Sequence, residues 1–426
     1  MIFGDEVLDA VLQEDDDNDA LLLFMQLAPQ REQKQKSWEY PGGGFDNYTH
    51  GLLYRGESKT RYRMRYRTFI KLVEMLRPWL TIDEGQSRRS TGGDPPLSPG
   101  VVVAIGVLFL TGSPTADIAG IFGVCLRSVG NSVDKFLAAV DECPELEISF
   151  PPNEDLQGYA DQWHRLSQAH GIYYGNIGAL DGWLCTTDKP GDVNNPADHY
   201  SGHYSEYGLD IQAMCDANLE SIYFGVVAPG RTNDGRVFHR CERLVSWLNQ
   251  LPPDYSIVAD NAYTLDNNLL VPPSGPARQE PYKRTYNFYL SQLRIRIEMA
   301  FGRLTTKWRI FRRRLSYSTP KDSLICMVAA KLHNYIIDGD NIRFRNSYYT
   351  KDFDVGAIDG GPRSNRGYLP TLPLKPKRGR DTNITCGDKR EEILSELRSR
   401  DMRRPPHNID RDWMEELNAA PIYGKE

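Results

Sequence analysis

The sequence predicts an α/β protein: a mixed-sheet core, a small all-α region before it, and disordered tails at both ends. Three observations predict this. Apolar residues recur at helical spacing up to about residue 142, then at strand spacing from Ile172. The stretches after Ile172 follow the order β-β-β-α-β-α. The two ends are polar and poor in apolar periodicity, and the first opens on acids that are densest at Asp15 to Asp17.

Residues 1–55 therefore read as an acidic, mostly disordered segment with one short helix possible between Asp5 and Leu27. Residues 60–142 read as helical. Phe69, Leu72, Val73, Leu76 and Leu80 fall on one face of a first helix. After the turn-rich linker SRRSTGGDPPLSPG, Ser98 is placed to cap a second helix with Pro99 at its first position, and Gly112 stops it. The run TADIAGIFGVCLRSVGNSVDKFLAAVDE then reads as helix, tight turn at Gly123, helix. That is the shape of a helix-turn-helix with Arg127, Ser128 and Asn131 on its exposed front, and equally the shape of a plain helical hairpin, the commoner case.

From 172 to 338 the pattern is that of an RNase H-like domain. GIYYGNIGALDGWLCTT is the first strand, and a hairpin turning near Asn218 supplies the next two. NDGRVFHRCERLVSWLNQ is a helix, and DYSIVADNAY is a short apolar strand ending on an acid. A Pro-rich loop leads to a long basic helical run, in which Leu290, Leu293, Ile297, Phe301 and Leu304 form an apolar stripe. KDSLICMVAAKLHNYIIDG closes the domain as an apolar helix. Residues 339–426 read as a flexible polar tail with one helix near Lys389 to Arg400.

Composition removes several classes of function. The chain has 426 residues, 40% hydrophobic and 25% charged, with no apolar run long enough for a membrane span. Its start lacks the basic region of a signal peptide. The seven cysteines show no CxxC pair, which argues for reduced thiols and against a zinc module. No G-x-x-x-x-G-K-[ST] run is present to bind ATP phosphates. The net charge is -6, so contact with nucleic acid needs local basic patches.

Three acids stand where strand ends and a helix can bring them together: Asp181, Asp260 and Glu298. Two strand-end carboxylates and one from a packed helix can hold two divalent cations about 4 Å apart, with Mg²⁺ or Mn²⁺ suited to hard oxygen ligands. Singly, each acid has a plainer reading. Asp181 precedes a Gly, as turn residues do; Asp260 precedes Asn261 at a strand end; Glu298 has Arg294 one helical turn away as a surface partner. Only their order on the right elements raises the three together.

The stretch from about Gly178 to Asp338 resembles the DDE superfamily endonuclease domain of Harbinger-type transposases. The resemblance rests jointly on GALDGW, on YSGHYSEYGLDIQAMCDANLESIYFGVVAPGRTNDGRVF, on IVADNAYTLDNNLLVPP, on the helix carrying Asn287, Ser291, Arg294, Glu298, Phe301, Gly302 and Leu304, and on KLHNYIID. The upstream helices resemble that family's helix-turn-helix region more loosely.

The resemblance implies that Asp181, Asp260 and Glu298 are the metal-binding catalytic triad, with two Mg²⁺ or Mn²⁺ ions. It also implies a further acid in Asp234, which could support the metals but more readily caps a helix. Two departures, Asn233 where the family often has His and Trp183 where it often has a small or polar residue, bear on the substrate path rather than the chemistry. Arg294, Arg303, Lys307, Arg309, Arg312, Arg313 and Arg314, with Arg127, are the candidates for DNA phosphate contacts, against the plainer reading of a solvated charged face. Arg294 is also expected to orient Glu298. Trp308 and Phe311 read as core, His333 and Asn334 as buried hydrogen-bonding groups, and His203 and Tyr204 as weak candidates for DNA approach.

The implied activity is metal-dependent phosphodiester cleavage and strand transfer at transposon ends in the nucleus. The partners implied are double-stranded DNA, a Myb-like accessory DNA-binding protein and a further copy of the chain, with no membrane. The competing readings are a domesticated DNA-binding or recruitment protein and a nuclease without strand transfer.

Overall fold

The computed structural model describes Thr49, Leu52 and residues 54–81, 96–166, 171–232, 234–273, 280–340 and 388–404. The acidic start, the possible helix from Asp5 to Leu27 and most of the C-terminal tail lie outside the described residues. The architecture is mixed α/β, with eleven α-helices and one mixed sheet among the described residues.

The helical layer comes first. A single turn, α1 (Ser58–Arg61), precedes α2 (Tyr66–Leu80). The predicted face of α2 is buried: Phe69, Leu72, Val73, Leu76 and Leu80. The α3 helix (Pro99–Leu110) begins as its sequence predicts, with Pro99 in its first turn and the Ser98 hydroxyl accepting from Val101 N. The apolar α3 packs against α2 and α5. The α4 helix (Thr115–Phe122) ends at Gly123, whose φ of 66° is the left-handed geometry that glycine adopts without strain. α5 (Leu126–Glu142) follows at once, with Arg127 and Asn131 exposed and Val129, Val133, Phe136, Leu137 and Val140 buried. α6 (Leu156–Leu166) leads into the sheet.

The strands are β1 (Asn176–Thr186), β2 (Tyr200–Ser201), β3 (Glu206–Cys215), β4 (Ser221–Pro229), β5 (Ser256–Val258) and β6 (Leu269–Leu270). Across the sheet the order is β4-β3-β1-β5-β6, and β2 pairs with the start of β3. β3 runs antiparallel to β1 and β4, whereas β5 runs parallel to β1 and β6. The segment expected as one helix between β4 and β5 divides at Cys241 into α7 (Asp234–Arg240) and α8 (Glu242–Gln250). β2 and β6, two residues each, are too short to leave a periodic signal.

Two long helices follow. α9 (Pro281–Lys307) lies on the sheet, burying Leu290, Leu293, Ile297 and Leu304 of the predicted stripe, while Phe301 is half-buried beside Trp183. It stops before the basic run does. Trp308 leaves the helical region at φ -96°, ψ 86°, is fully buried, and donates through Nε1 to Ala329 O at 2.9 Å. Arg309 to Arg312 then form a 3-10 turn.

α10 (Thr319–Gly339) starts against Asp192, whose carboxylate accepts from Thr319 N and Oγ1 at 2.7 and 2.9 Å and caps the helix from a distant loop. α10 joins the helical layer to the sheet. The buried Lys331 ammonium reaches Asp141 and Glu147 at 3.3 and 3.2 Å, and Asn334 exchanges hydrogen bonds with the backbone of Ser221. Asp340 accepts from Arg65 N and Thr68 Oγ1 at the start of α2. The helix expected near Lys389 to Arg400 forms as α11 (Asp388–Ser399). It is docked on α9: Ile393, Leu394 and Leu397 are buried, and Lys389 Nζ donates to Pro253 O and Asp254 O.

Candidate functional site

The parallel pairing of β1 with β5 brings the segments that carry two of the acids together. Gly178 pairs with Ile257 and Ala179 with Val258, the last pair. Asp181 lies two residues beyond that pair on β1, and Asp260 two residues beyond it after β5. Side chains two apart on a strand share a face. Both acids also mark where burial ends. Residues 176–180 are buried and Asp181 is the first half-buried position; residues 256–259 are buried and Asp260 is likewise the first that is not. Each carboxylate is held locally, Asp181 Oδ1 accepting from Gly182 N at 2.9 Å and Asp260 Oδ1 from Ala262 N at 2.8 Å. The turn after Asp260 is anchored by Tyr263, a buried residue whose hydroxyl donates to Gln212 Oε1 on β3 at 2.6 Å. Tyr263 stood in the quoted motif, but its partner Gln212 lies 51 residues earlier and gave no signal of its own.

The third acid comes from α9. Asn287, Ser291, Arg294 and Glu298 step along one helical face, and α9 packs on β1. Arg294 Nη1 lies 2.6 Å from Glu298 Oε1 and 3.0 Å from Asp181 Oδ2. One guanidinium nitrogen thus joins the strand acid to the helix acid. The pair with Glu298 was expected from spacing; the bond to Asp181 was not.

This arrangement bears on a metal. Among the described residues, no group of three His, Cys, Asp or Glu side chains is gathered closely enough to hold an ion. The chemistry of the donors nevertheless suits a hard cation: carboxylate oxygens only, two of which already converge on one positive nitrogen.

The other predicted residues are spread. Asp234 opens α7, the helix N-terminus expected of it. Arg127, Arg309, Arg312, Arg313 and Arg314 are exposed. Arg314 is paired with Glu206 at 2.7 Å, and Arg313 Nη2 donates to Gly112 O at 3.2 Å. Lys307 turns inward, with Nζ 3.4 Å from Arg63 O; burial is the main cause that pushes it down to about 8, helped by Arg303 and Arg63 and opposed by Asp340. His333 is buried as expected, but neither ring nitrogen makes the hydrogen bond expected of it among the described residues, and burial, then Lys307 and Arg303, push it down to about 3. Trp308 is core, and Phe311 meets Trp183 edge-on at 5.3 Å between ring centres. His203 and Tyr204 are exposed, their rings 4.7 Å apart. No helix among the described residues is long and apolar enough to cross a membrane.

Comparison with known proteins bears on the same segment. A Xenopus laevis protein, "Putative nuclease HARBI1", is 24% identical over 244 residues, which is 56% of this chain and 67% of that protein. No solved structure matches the chain. Residues 180–334 match the family model of the DDE superfamily endonuclease, a span that contains Asp181, Asp234, Asp260, Arg294 and Glu298. Over that span the chain is similar to the DDE superfamily endonuclease.

Proposed function

We propose that the chain is a metal-dependent DNA endonuclease of the Harbinger transposase type, acting in the nucleus on double-stranded DNA. In this reading it cuts phosphodiester bonds at transposon ends and joins the freed 3′-OH to target DNA by in-line displacement. One observation carries the reading: Glu298 and Asp181 meet the same nitrogen of Arg294, while Asp260 follows directly on the strand that pairs in parallel with the one carrying Asp181. The family match spans all three acids, and the sheet order with a single reversed strand, β3, supports an RNase H-like core.

Divalent cations, Mg²⁺ or Mn²⁺, would supply an activated water on one side of the phosphate and charge neutralisation of the leaving oxygen on the other. Asp181, Asp260 and Glu298 are the residues that would hold them. The residues of this chain do the rest. The buried run of β1 and β5 fixes the height of the two Asp carboxylates. Tyr263 holds the turn behind Asp260. Arg294 balances Asp181 and Glu298 and orients them until it yields that place. Arg303, Arg309, Arg312, Arg313 and Arg127 offer charge to the DNA backbone, and α4–Gly123–α5 is the candidate helix-turn-helix. Asp234 caps α7 in this reading, and Lys307 serves the core rather than the DNA.

The test is cleavage of duplex DNA bearing the element's own ends by the full chain in Mg²⁺ or Mn²⁺, with Glu298→Gln beside the parent. The parent should cut, and the variant should be slower by about 10²–10³-fold, the usual loss when one electrostatic group of an active site is removed. Equal rates would overturn the assignment of Glu298. Joined products are scored separately, because a nuclease without strand transfer shares every feature of this site.

A further inference from the structure

A second charged feature lies apart from the carboxylates. A cavity of about 290 Å³ opens where α1, the end of α3 and the 3-10 turn after α9 meet. Arg61, Arg63 and Arg309 line it, with the hydroxyl residues Thr60, Thr111 and Ser113. Among the described residues no carboxylate lines it, and it shares no residue with the acid site. Its volume is several times the roughly 30 Å³ that one water occupies in the liquid. Three arginines and hydroxyl residues in a small polar cavity have the donor set of an oxyanion site: the guanidiniums and the Thr60 and Ser113 hydroxyls are donors, while Thr111 already donates to Leu108 O at 2.7 Å.

The backbone is bent to make this cavity. Arg63 has a φ of 62°, a left-handed conformation that a side chain bigger than glycine adopts only where its surroundings impose it. The surroundings are visible. Tyr62 and Met64 on either side are fully buried, Tyr62 stacked on Phe69 at 4.2 Å, so Arg63 between them is turned towards the cavity. On the opposite wall Gly112 has a φ of 83°, and a Cβ there would stand 3.1 Å from the backbone of Arg309. That close approach brings the Arg309 turn against the end of α3. The strain and the missing side chain are spent on gathering like charges, which costs energy unless an anion arrives. The Arg63 guanidinium is accordingly held below its ordinary range, first by burial and then by Arg309 and Arg312.

We infer that this cavity is a binding site for a phosphate group, formed jointly by the helical layer and the turn that leaves α9. Arg61, Arg63 and Arg309 meet its oxygens, and the hydroxyls of Thr60 and Ser113 complete the set. The phosphate is one of the DNA backbone or that of a free phosphate ester. The backbone source rests on the proposed function; the site itself does not. α9 would set the spacing in the first case, since it carries Glu298 and runs directly into Arg309, on the order of 15 Å further along the helix axis at 1.5 Å per residue.

The experiment uses the full chain and four proteins: the parent, Arg63→Gly, the double variant Arg61→Gln with Arg309→Gln, and Glu298→Gln. Arg63→Gly removes the charge while keeping the left-handed backbone comfortable, and the double variant leaves that backbone untouched. Thermal unfolding is measured in inorganic phosphate against chloride at matched ionic strength. Binding to a duplex is measured in EDTA over a series of salt concentrations. The site requires that phosphate raise the melting temperature of the parent and of Glu298→Gln, and that the rise vanish in both cavity variants. If duplex affinity also falls about tenfold and the salt slope drops by about one, the phosphate is the backbone's. If the phosphate response vanishes while duplex affinity stays, the site holds a free phosphate ester. No phosphate response in the parent, or a response unchanged in both cavity variants, overturns the inference. Failure of the nuclease reading shows elsewhere, as equal cleavage by the parent and Glu298→Gln.

Discussion

Asp181 and Glu298 share one guanidinium, whereas Arg61, Arg63 and Arg309 surround a cavity that no carboxylate among the described residues lines. The acid site thus brings its own counter-charge. Arg294 lies between two of its carboxylates. The basic cavity brings none among its described lining residues, and cations continue inward from it: burial first, then neighbouring cations, push Lys307 down to about 8 and His333 to about 3, with Arg63 and Arg303 acting on Lys307 and Lys307 and Arg303 on His333. The difference teaches what each region wants. Under the two proposals, the internally balanced cluster would exchange its cation for a metal, and the unbalanced one would receive an anion.

The largest expected effect tests how far the positive side reaches into the core. His333 is buried on α10. Its folded value of about 3 lies below the ordinary 6.5, so the unfolded chain takes up its proton first as pH falls. The stability that neutral His333 contributes is therefore complete above about pH 6.5 and is lost towards pH 3, at about 1.4 kcal/mol per pH unit. Asp216 and Asp322, both pushed up to about 6 by burial, act in the opposite sense over much of that window. The total curve is thus uninformative, and the difference between the parent and His333→Gln isolates the group. Urea unfolding at pH 7, 6 and 5 should show the parent losing about 2 kcal/mol more than the variant across that range. Parallel curves would mean that the cations do not press on the core.

A middle-sized effect tests the balanced side. Arg294→Leu leaves Asp181 and Glu298 facing each other without their shared cation. Because Glu298 is half exposed, the loss should be modest, about 1 kcal/mol at neutral pH and low salt. The informative reading is its rescue. Millimolar Mn²⁺ should stabilise the variant more than the parent, since in the parent the ion must displace a guanidinium first. Identical Mn²⁺ responses would show that Arg294 and a metal do not compete for the carboxylates.

Much of this could be read before the structure. The separation of Asp181 from Asp260 in sequence equals the offset of the last β1–β5 pair, Ala179 with Val258, so the pairing of the two segments was latent in the numbering. Glu298 and Arg294 were legible as helical neighbours, and so were the cap at Ser98 and the turn at Gly123. Contacts across long stretches of chain were not legible. Arg294 meets Asp181 from 113 residues away, and nothing in either local pattern prescribes it. The basic run was expected to continue as helix, but burying Trp308 ends α9 and swings the remaining arginines into a turn. Arg61 and Arg63 stand just before the apolar face of α2 and carried no signal of their own. That Arg61 and Arg63 meet Arg309 depends on how α1 and α3 pack against that turn, a tertiary fact with no local signature.

The smallest expected effect would sharpen the comparison most, because it should touch the basic side alone. Gly112→Ala adds one methyl at a φ of 83°, 3.1 Å from the carbonyl carbon of Arg309 and 3.2 Å from its oxygen. The backbone term alone costs about 1 kcal/mol, since an L side chain is disfavoured there. The contact cannot relax by rotating a side chain, because the neighbour is mainly backbone. The Arg309 turn must move back instead, which opens the cavity and separates the guanidiniums. Stability in chloride should therefore fall by about 1 kcal/mol, and the stabilisation by phosphate should shrink with it. The Mn²⁺ response should not change, since Gly112 lies on no element that carries Asp181, Asp260 or Glu298. An equal loss of both responses would mean that the two charged regions are mechanically one unit. An unchanged phosphate response would mean that the approach of Arg309 to α3 does not shape the cavity.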